Sequence, residues 1–220
     1  MKPKKAKKLL CKVVQELTEC KWLFSNQPKR DFTRNRKLPF EQIIKAILCM
    51  GGGSVANEMM DLFGFHEDLA TTSAFVQQRA KIQPEAFENL FDLFVKNTSE
   101  RSTYRGLQLL AVDGSDFLTA SNPDSFFSGT AEQKSYNLLH LNALYDLTWH
   151  VYVDALLQKR WCADECGAVV SMVHRSELLN VLLIAVRNPP TFLRFLTENQ
   201  KSCMIAKKLF CILNYSRRYR

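Results

Sequence analysis

An α/β fold is predicted for this chain: a helical segment first, then a mixed sheet with helices on its faces. Three observations lead there. Before residue 98, apolar residues recur at the spacing of one helix face. After Gly106 they gather into strand-length runs, two of which alternate across a short turn. The resulting order of strand, hairpin, helix and strand is that of a sheet carrying helices on its faces.

Each element has its own justification. Leu9, Leu10, Val13, Val14 and Leu17 share a helix face. The segment with Asn26, Pro28, Pro39 and the run Lys29 to Lys37 is an exposed connection. Ile43, Ile44, Ile47 and Leu48 make the next stripe, which Gly51-Gly52-Gly53 stops. Val55, Met59, Met60 and Phe63 make another, ended by Gly64. Phe87, Leu90, Phe91 and Phe94 give the clearest stripe, entered through Pro84 in a favourable first-turn position. Leu107 to Val112 is a strand-length run that ends in Asp113-Gly114-Ser115-Asp116, and residues 117–135 carry no clear element. Leu139 to Tyr145 and Trp149 to Leu157 alternate on either side of Asp146-Leu147-Thr148, an antiparallel hairpin. Residues 163–175 are helical, Val181 to Val186 is a buried type of strand, and 191–198 is a further helical candidate.

Composition narrows the function classes. The chain has 220 residues, 46% of them hydrophobic, enough to build a core and too many for wholesale disorder. Its net charge of +8 is unevenly placed. Residues 1–40 carry +9, residues 201–220 carry +6, and the stretch between carries −7. Basic ends around an acidic body suit a polyanion held by the ends, with the carboxylates of the middle serving another purpose, although lysine-rich termini are also simply well solvated. Val181 to Val186, the longest apolar run, is far short of the roughly 20 residues of a membrane span. No secretory signal is expected, since Lys12 and Glu16 interrupt the first apolar stretch. The 7 cysteines form one close pair, Cys162 and Cys166, which lacks the second pair that a zinc site needs. Reduced thiols and a cytoplasmic location are the expectation.

Asp113 is the first candidate for chemistry. A carboxylate that follows an apolar strand and precedes glycine is expected at a strand end, where ligand and metal sites gather. Asp-Gly is equally ordinary turn chemistry. Asp116, Asp124, Asp146, Asp154, Asp164 and Glu165 read as turn, hairpin or helix-start residues. His140 reads as a structural or surface histidine, on the face opposite Leu139 and Leu141.

Four ordered segments carry a resemblance. They are Phe32-Thr33-Arg34-Asn35-Arg36-Lys37-Leu38-Pro39-Phe40, Ser73-Ala74-Phe75-Val76-Gln77-Gln78-Arg79, Leu109 to Asp116, and Tyr136 to Asp146. From about residue 31 to about 185 the chain resembles bacterial insertion-sequence transposases of the DDE type, the subgroup with a β-strand insertion in the catalytic domain. The resemblance implies an incomplete ribonuclease H-like mixed sheet with flanking helices after the N-terminal helical segment. It divides the chain into a helical DNA-binding region (1–98), a partial catalytic domain (99–200) and a basic tail without family features (201–220).

In such enzymes three carboxylates hold two Mg²⁺ ions that activate the attacking oxygen and stabilise the leaving one. Asp113 matches the first carboxylate and is the catalytic and metal-ligating residue carried over. The stretch Ile184-Ala185-Val186-Arg187-Asn188-Pro189 aligns with the motif of the second, but valine occupies the carboxylate position. The third carboxylate is expected beyond Arg220. Damage to the reading frame or to the element itself near residue 186 is the hypothesis for this departure, with simple divergence as the alternative. Lys29, Arg30, Arg34, Asn35, Arg36 and Lys37 are the DNA-binding candidates, since cations neutralise phosphates and asparagine bonds to phosphates or base edges. An exposed basic linker is the plainer reading of the same run. The expected partners are DNA at transposon ends and either an intact transposase or a second copy of this chain, with no membrane. The expected activity is DNA binding without turnover, in transposition or as an inhibitor of an intact transposase.

Overall fold

The structure, a computed structural model, describes residues 2–34, 36–64, 69–98, 103–104, 106–119, 128–131, 134–175 and 181–184. The chain divides into two compact units, Met1–Ser99 and Glu100–Arg220. Among the described residues no helix is long and apolar enough to cross a membrane.

The first unit is helical. Its helices are α1 (Pro3–Glu19), α2 (Phe40–Cys49), α3 (Val55–Phe63), α4 (Thr72–Arg79) and α5 (Glu85–Lys96), with a 3-10 turn at Lys21–Phe24. Proline in the first turn starts α1, because its missing N–H would have had no partner there. The stripes seen in the sequence turn inward: Val13, Val14, Leu17, Phe40, Ile43, Ile44, Met59 and Leu90 form one core. The triple glycine is closed by a side chain from the next helix. Glu58 accepts from the backbone N–H of Gly51 at 3.0 Å and of Gly53 at 2.8 Å. These bonds, Gly51 first, hold the Glu58 carboxyl below its usual range.

Helix α4 has no counterpart in the periodic pattern. It buries only Phe75 and Gln78, one turn apart, so no apolar stripe announces it. The Thr71 hydroxyl caps it by accepting from the Ala74 N–H at 3.2 Å.

The second unit is a mixed sheet with one described α-helix and a 3-10 turn at Arg160–Cys162. Its strands are β1 (Gln108–Thr119), β2 (Ser128–Ala131), β3 (Lys134–Asp146), β4 (Val151–Lys159) and β5 (Val181–Ile184), and α6 (Glu165–Arg175) lies between β4 and β5. One edge of β3 pairs antiparallel with β1, and the other edge pairs with β2 and β4. β5 runs parallel to β1 on its far side. Asp146 sets the hairpin between β3 and β4. Its Oδ1 accepts from the N–H of Thr148 and Trp149, each at 2.9 Å, and from the Thr148 hydroxyl at 2.7 Å.

β1 corrects one expectation. The strand was expected to end at Asp113, but it continues to Thr119, so Asp113 lies inside it and not at its end. Residues 113–119 have a full ladder partner in β3, from Asp113 opposite Ala143 to Thr119 opposite Asn137. A continuous ladder outweighs the local turn preference of Asp-Gly. The stretch 117–135, read as lacking an element, contains the end of β1, the short β2 and the start of β3. The helical candidate at 191–198, the motif at 186–189 and the tail 201–220 lie outside the described residues.

Candidate nucleic-acid interface and the Asp113 strand

In the first unit the basic run is held as a loop by local bonds. The N–H groups of Arg30 and Asp31 donate to the Gln27 carbonyl, and the Asp31 carboxylate accepts from the Gln27 N–H at 2.9 Å. Thr33 donates from its hydroxyl to the Arg30 carbonyl at 3.0 Å. Phe32 has φ 54°, a left-handed conformation that bulky residues rarely adopt. Its ring meets Phe40 edge-on, with centroids 5.3 Å apart, which fastens the loop to the start of α2.

A second anchor lies after α4. The Asn26 N–H donates to the Lys81 carbonyl at 2.9 Å, and the Asn26 side-chain amide donates to the Ala80 carbonyl at 2.8 Å. Loop and anchor enclose a cavity of about 500 Å³. Lys29, Arg30, Arg34 and Arg36 line it and are exposed. Lys37 is exposed outside it, and Asn35 lies outside the described residues. Among the described residues the only carboxylate in the lining is Asp31, which is buried and engaged by the loop backbone. Periodicity did not single out Asn26, Gln78 or Lys81, which also line the cavity. The signal available was polar: Gln78 occupies the inward side of a helix, where an uncharged amide is uncommon without a partner.

In the second unit, strand alternation separates two sets of residues. Asp113 points to one face of β1, and Gly114 and Asp116 serve the other. Asp113 is exposed, and its Oδ1 accepts from the N–H of Gly114 at 3.0 Å.

The opposite face holds a connected polar cluster. Asp116 lies directly across from His140, and Gly114 across from Asn142. The Asp116 Oδ1 is 2.6 Å from His140 Nδ1, and Arg160 donates from Nε to Asp116 Oδ2 at 2.7 Å. His140 Nε2 is 4.0 Å from the Glu165 carboxylate at the start of α6, so this is the face that α6 covers. The His140 hydrogen bond, opposed by partial desolvation and aided by Arg160, holds the Asp116 carboxyl below its usual range. The neighbouring chain of bonds is oriented by the backbone. The Asp164 N–H donates to Gln158 Oε1 at 3.2 Å, and Asn142 donates its amide to the same oxygen at 2.9 Å. Among the described residues, that leaves Asn142 Oδ1 and His140 Nε2 buried without hydrogen-bond partners near Gly114.

His140 is thus a buried structural residue, as one of its two sequence readings had it, and Asp116 and Asp146 have bonding roles. Asp154 pairs with Arg175, whose Nη2 reaches its Oδ1 at 2.9 Å. Among the described residues no three His, Cys, Asp or Glu side chains gather into a metal-holding group. Of the positions that the resemblance assigns to a two-ion centre, the described residues include Asp113 alone. Asp113 faces away from Asp116, and the position aligned with the second carboxylate lies outside the described residues.

No protein-family model matches the chain, and neither a curated protein nor a solved structure matches it.

Proposed function

We propose that this chain acts in DNA transposition as a transposase-family DNA-binding protein, with a ribonuclease H-like sheet unit that does not itself cleave DNA. The observation that carries the reading is the order of the sheet. A long first strand is followed by an antiparallel hairpin, a helix, and a strand that returns parallel to the first. That succession is the one implied by the resemblance of Leu109–Asp116 and Tyr136–Asp146 to DDE transposases. The second unit supplies Asp113, and valine stands at position 186, which aligns with the second carboxylate, so no catalytic step is assigned to it. The DNA grip belongs to the first unit, where Lys29, Arg30, Arg34, Arg36 and Lys37 are exposed.

The test is a binding titration of the full chain on DNA carrying the ends of the element at its own genomic locus, repeated over a range of salt. Affinity is expected to fall linearly on logarithmic axes, with a slope shallower by about 0.9 for each phosphate contact removed by Ala substitution of these cations. Salt-insensitive behaviour, or no retention of end DNA, refutes the proposal. A nicking and strand-transfer assay with Mg²⁺ completes it. Turnover that disappears in Asp113→Ala overturns the assignment as non-cleaving.

A further inference from the structure

We propose that the cavity beside the basic loop takes one unpaired nucleotide of a DNA strand. The inference rests on the DNA-binding reading and deepens it by naming which part of the nucleic acid the cavity receives. Duplex DNA presents its phosphates on a convex cylinder and keeps its bases stacked inside. A concavity closed by one loop and the end of one helix fits a single projecting group better than a duplex wall. At about 500 Å³ the cavity lies within the range of pockets that enclose a small organic ligand, and it is larger than one phosphate requires.

Its lining supplies groups for two parts of a nucleotide, the phosphate and the base, the latter at both its edge and its face. Lys29, Arg30, Arg34 and Arg36 supply charge for the phosphate, and among the described residues none of them has an ion-pair partner in the fold. Gln78 and Asn26 supply a carboxamide each, with their atoms already sorted. Gln78 gives its oxygen to Lys81 Nζ at 3.1 Å, which leaves its amide hydrogens to donate. Asn26 gives its amide to the Ala80 carbonyl at 2.8 Å, which leaves its oxygen to accept. One donor and one acceptor match the mixed edge of a base. Phe32 supplies an aromatic ring for the base to stack on. Its φ of 54° is a strained conformation that the surrounding loop bonds hold in place, as befits a side chain aimed by its setting.

The experiment compares binding of the full chain to a blunt duplex and to the same duplex with a short oligothymidine overhang. The overhang is expected to tighten binding about tenfold, the effect of one stacked base. Phe32→Leu keeps an apolar contact with Phe40 but removes the stacking face, and is expected to bring the ratio close to one. A second measurement needs no variant: thymidine monophosphate is expected to displace the overhang duplex at lower concentration than inorganic phosphate does. Equal binding of the two duplexes overturns the nucleotide assignment and leaves the DNA-binding reading standing. Equal competition by phosphate and thymidine monophosphate overturns it too, with the cavity then a phosphate site only. Failure to retain either duplex overturns both readings together.

Discussion

His140 lies against Gly114: a Cβ added to that glycine would come within 2.5 Å of the imidazole Nε2. The two residues belong to adjacent strands, with Gly114 opposite Asn142 and His140 opposite Asp116. The imidazole occupies the space that any larger residue at 114 would need. Asp116 fixes the other side of the ring through Nδ1, at 2.6 Å.

Gly114→Ala is therefore expected to destabilise the sheet unit by about 1–3 kcal/mol, the usual cost of overpacking. His140→Ala in the same chain should recover much of that loss, because it removes the atom that clashes. Urea unfolding of the two single variants and the double variant measures the coupling. Additive effects would mean that the glycine is needed for another reason.

The pH dependence of the same cluster follows from Asp116. Its carboxyl is held below the ordinary value of 3.8, first by the His140 bond and then by Arg160. The lowered carboxyl contributes stability that is fully present above 3.8 and is lost as pH falls through the folded-state value. In thermal melts across the acid range, Asp116→Asn should flatten the pH dependence in that window. An unaltered acid limb in the variant would show that other carboxylates govern it.

Asp146 makes the hairpin and is fully buried. Asp146→Ala leaves the N–H groups of Thr148 and Trp149 without their acceptor and is expected to cost about 1–3 kcal/mol in denaturant unfolding. Asp146→Asn retains an acceptor oxygen and should lose less. Equal losses in the two variants would show that the charge, and not the turn geometry, matters.

In the helical unit, Phe75→Ala is expected to cost about 3–5 kcal/mol, because the ring is fully buried and its neighbours cannot close the space. Val76 on the same helix is exposed, and Val76→Ala should change stability by less than about 0.5 kcal/mol. Chemical unfolding followed by far-ultraviolet circular dichroism distinguishes the two.

The sequence by itself determined the elements with a strong local period. Val13, Val14 and Leu17 on α1, Ile43 and Ile44 on α2, and the alternation either side of Asp146 were legible because each element repeats its apolar positions. It also determined where the cations lie. Tertiary structure alone decided what has no local signature. α4 stays helical on Phe75 and Gln78, and β1 runs on through Asp113 because β3 offers it a ladder. The cross-strand register turned Asp116 toward His140 and Asp113 toward the other face. The concavity in the basic loop likewise needs Gln78 and Lys81, more than forty residues away from Arg34. Periodicity reports which side of an element is buried, whereas register and loop closure depend on partners distant in the chain.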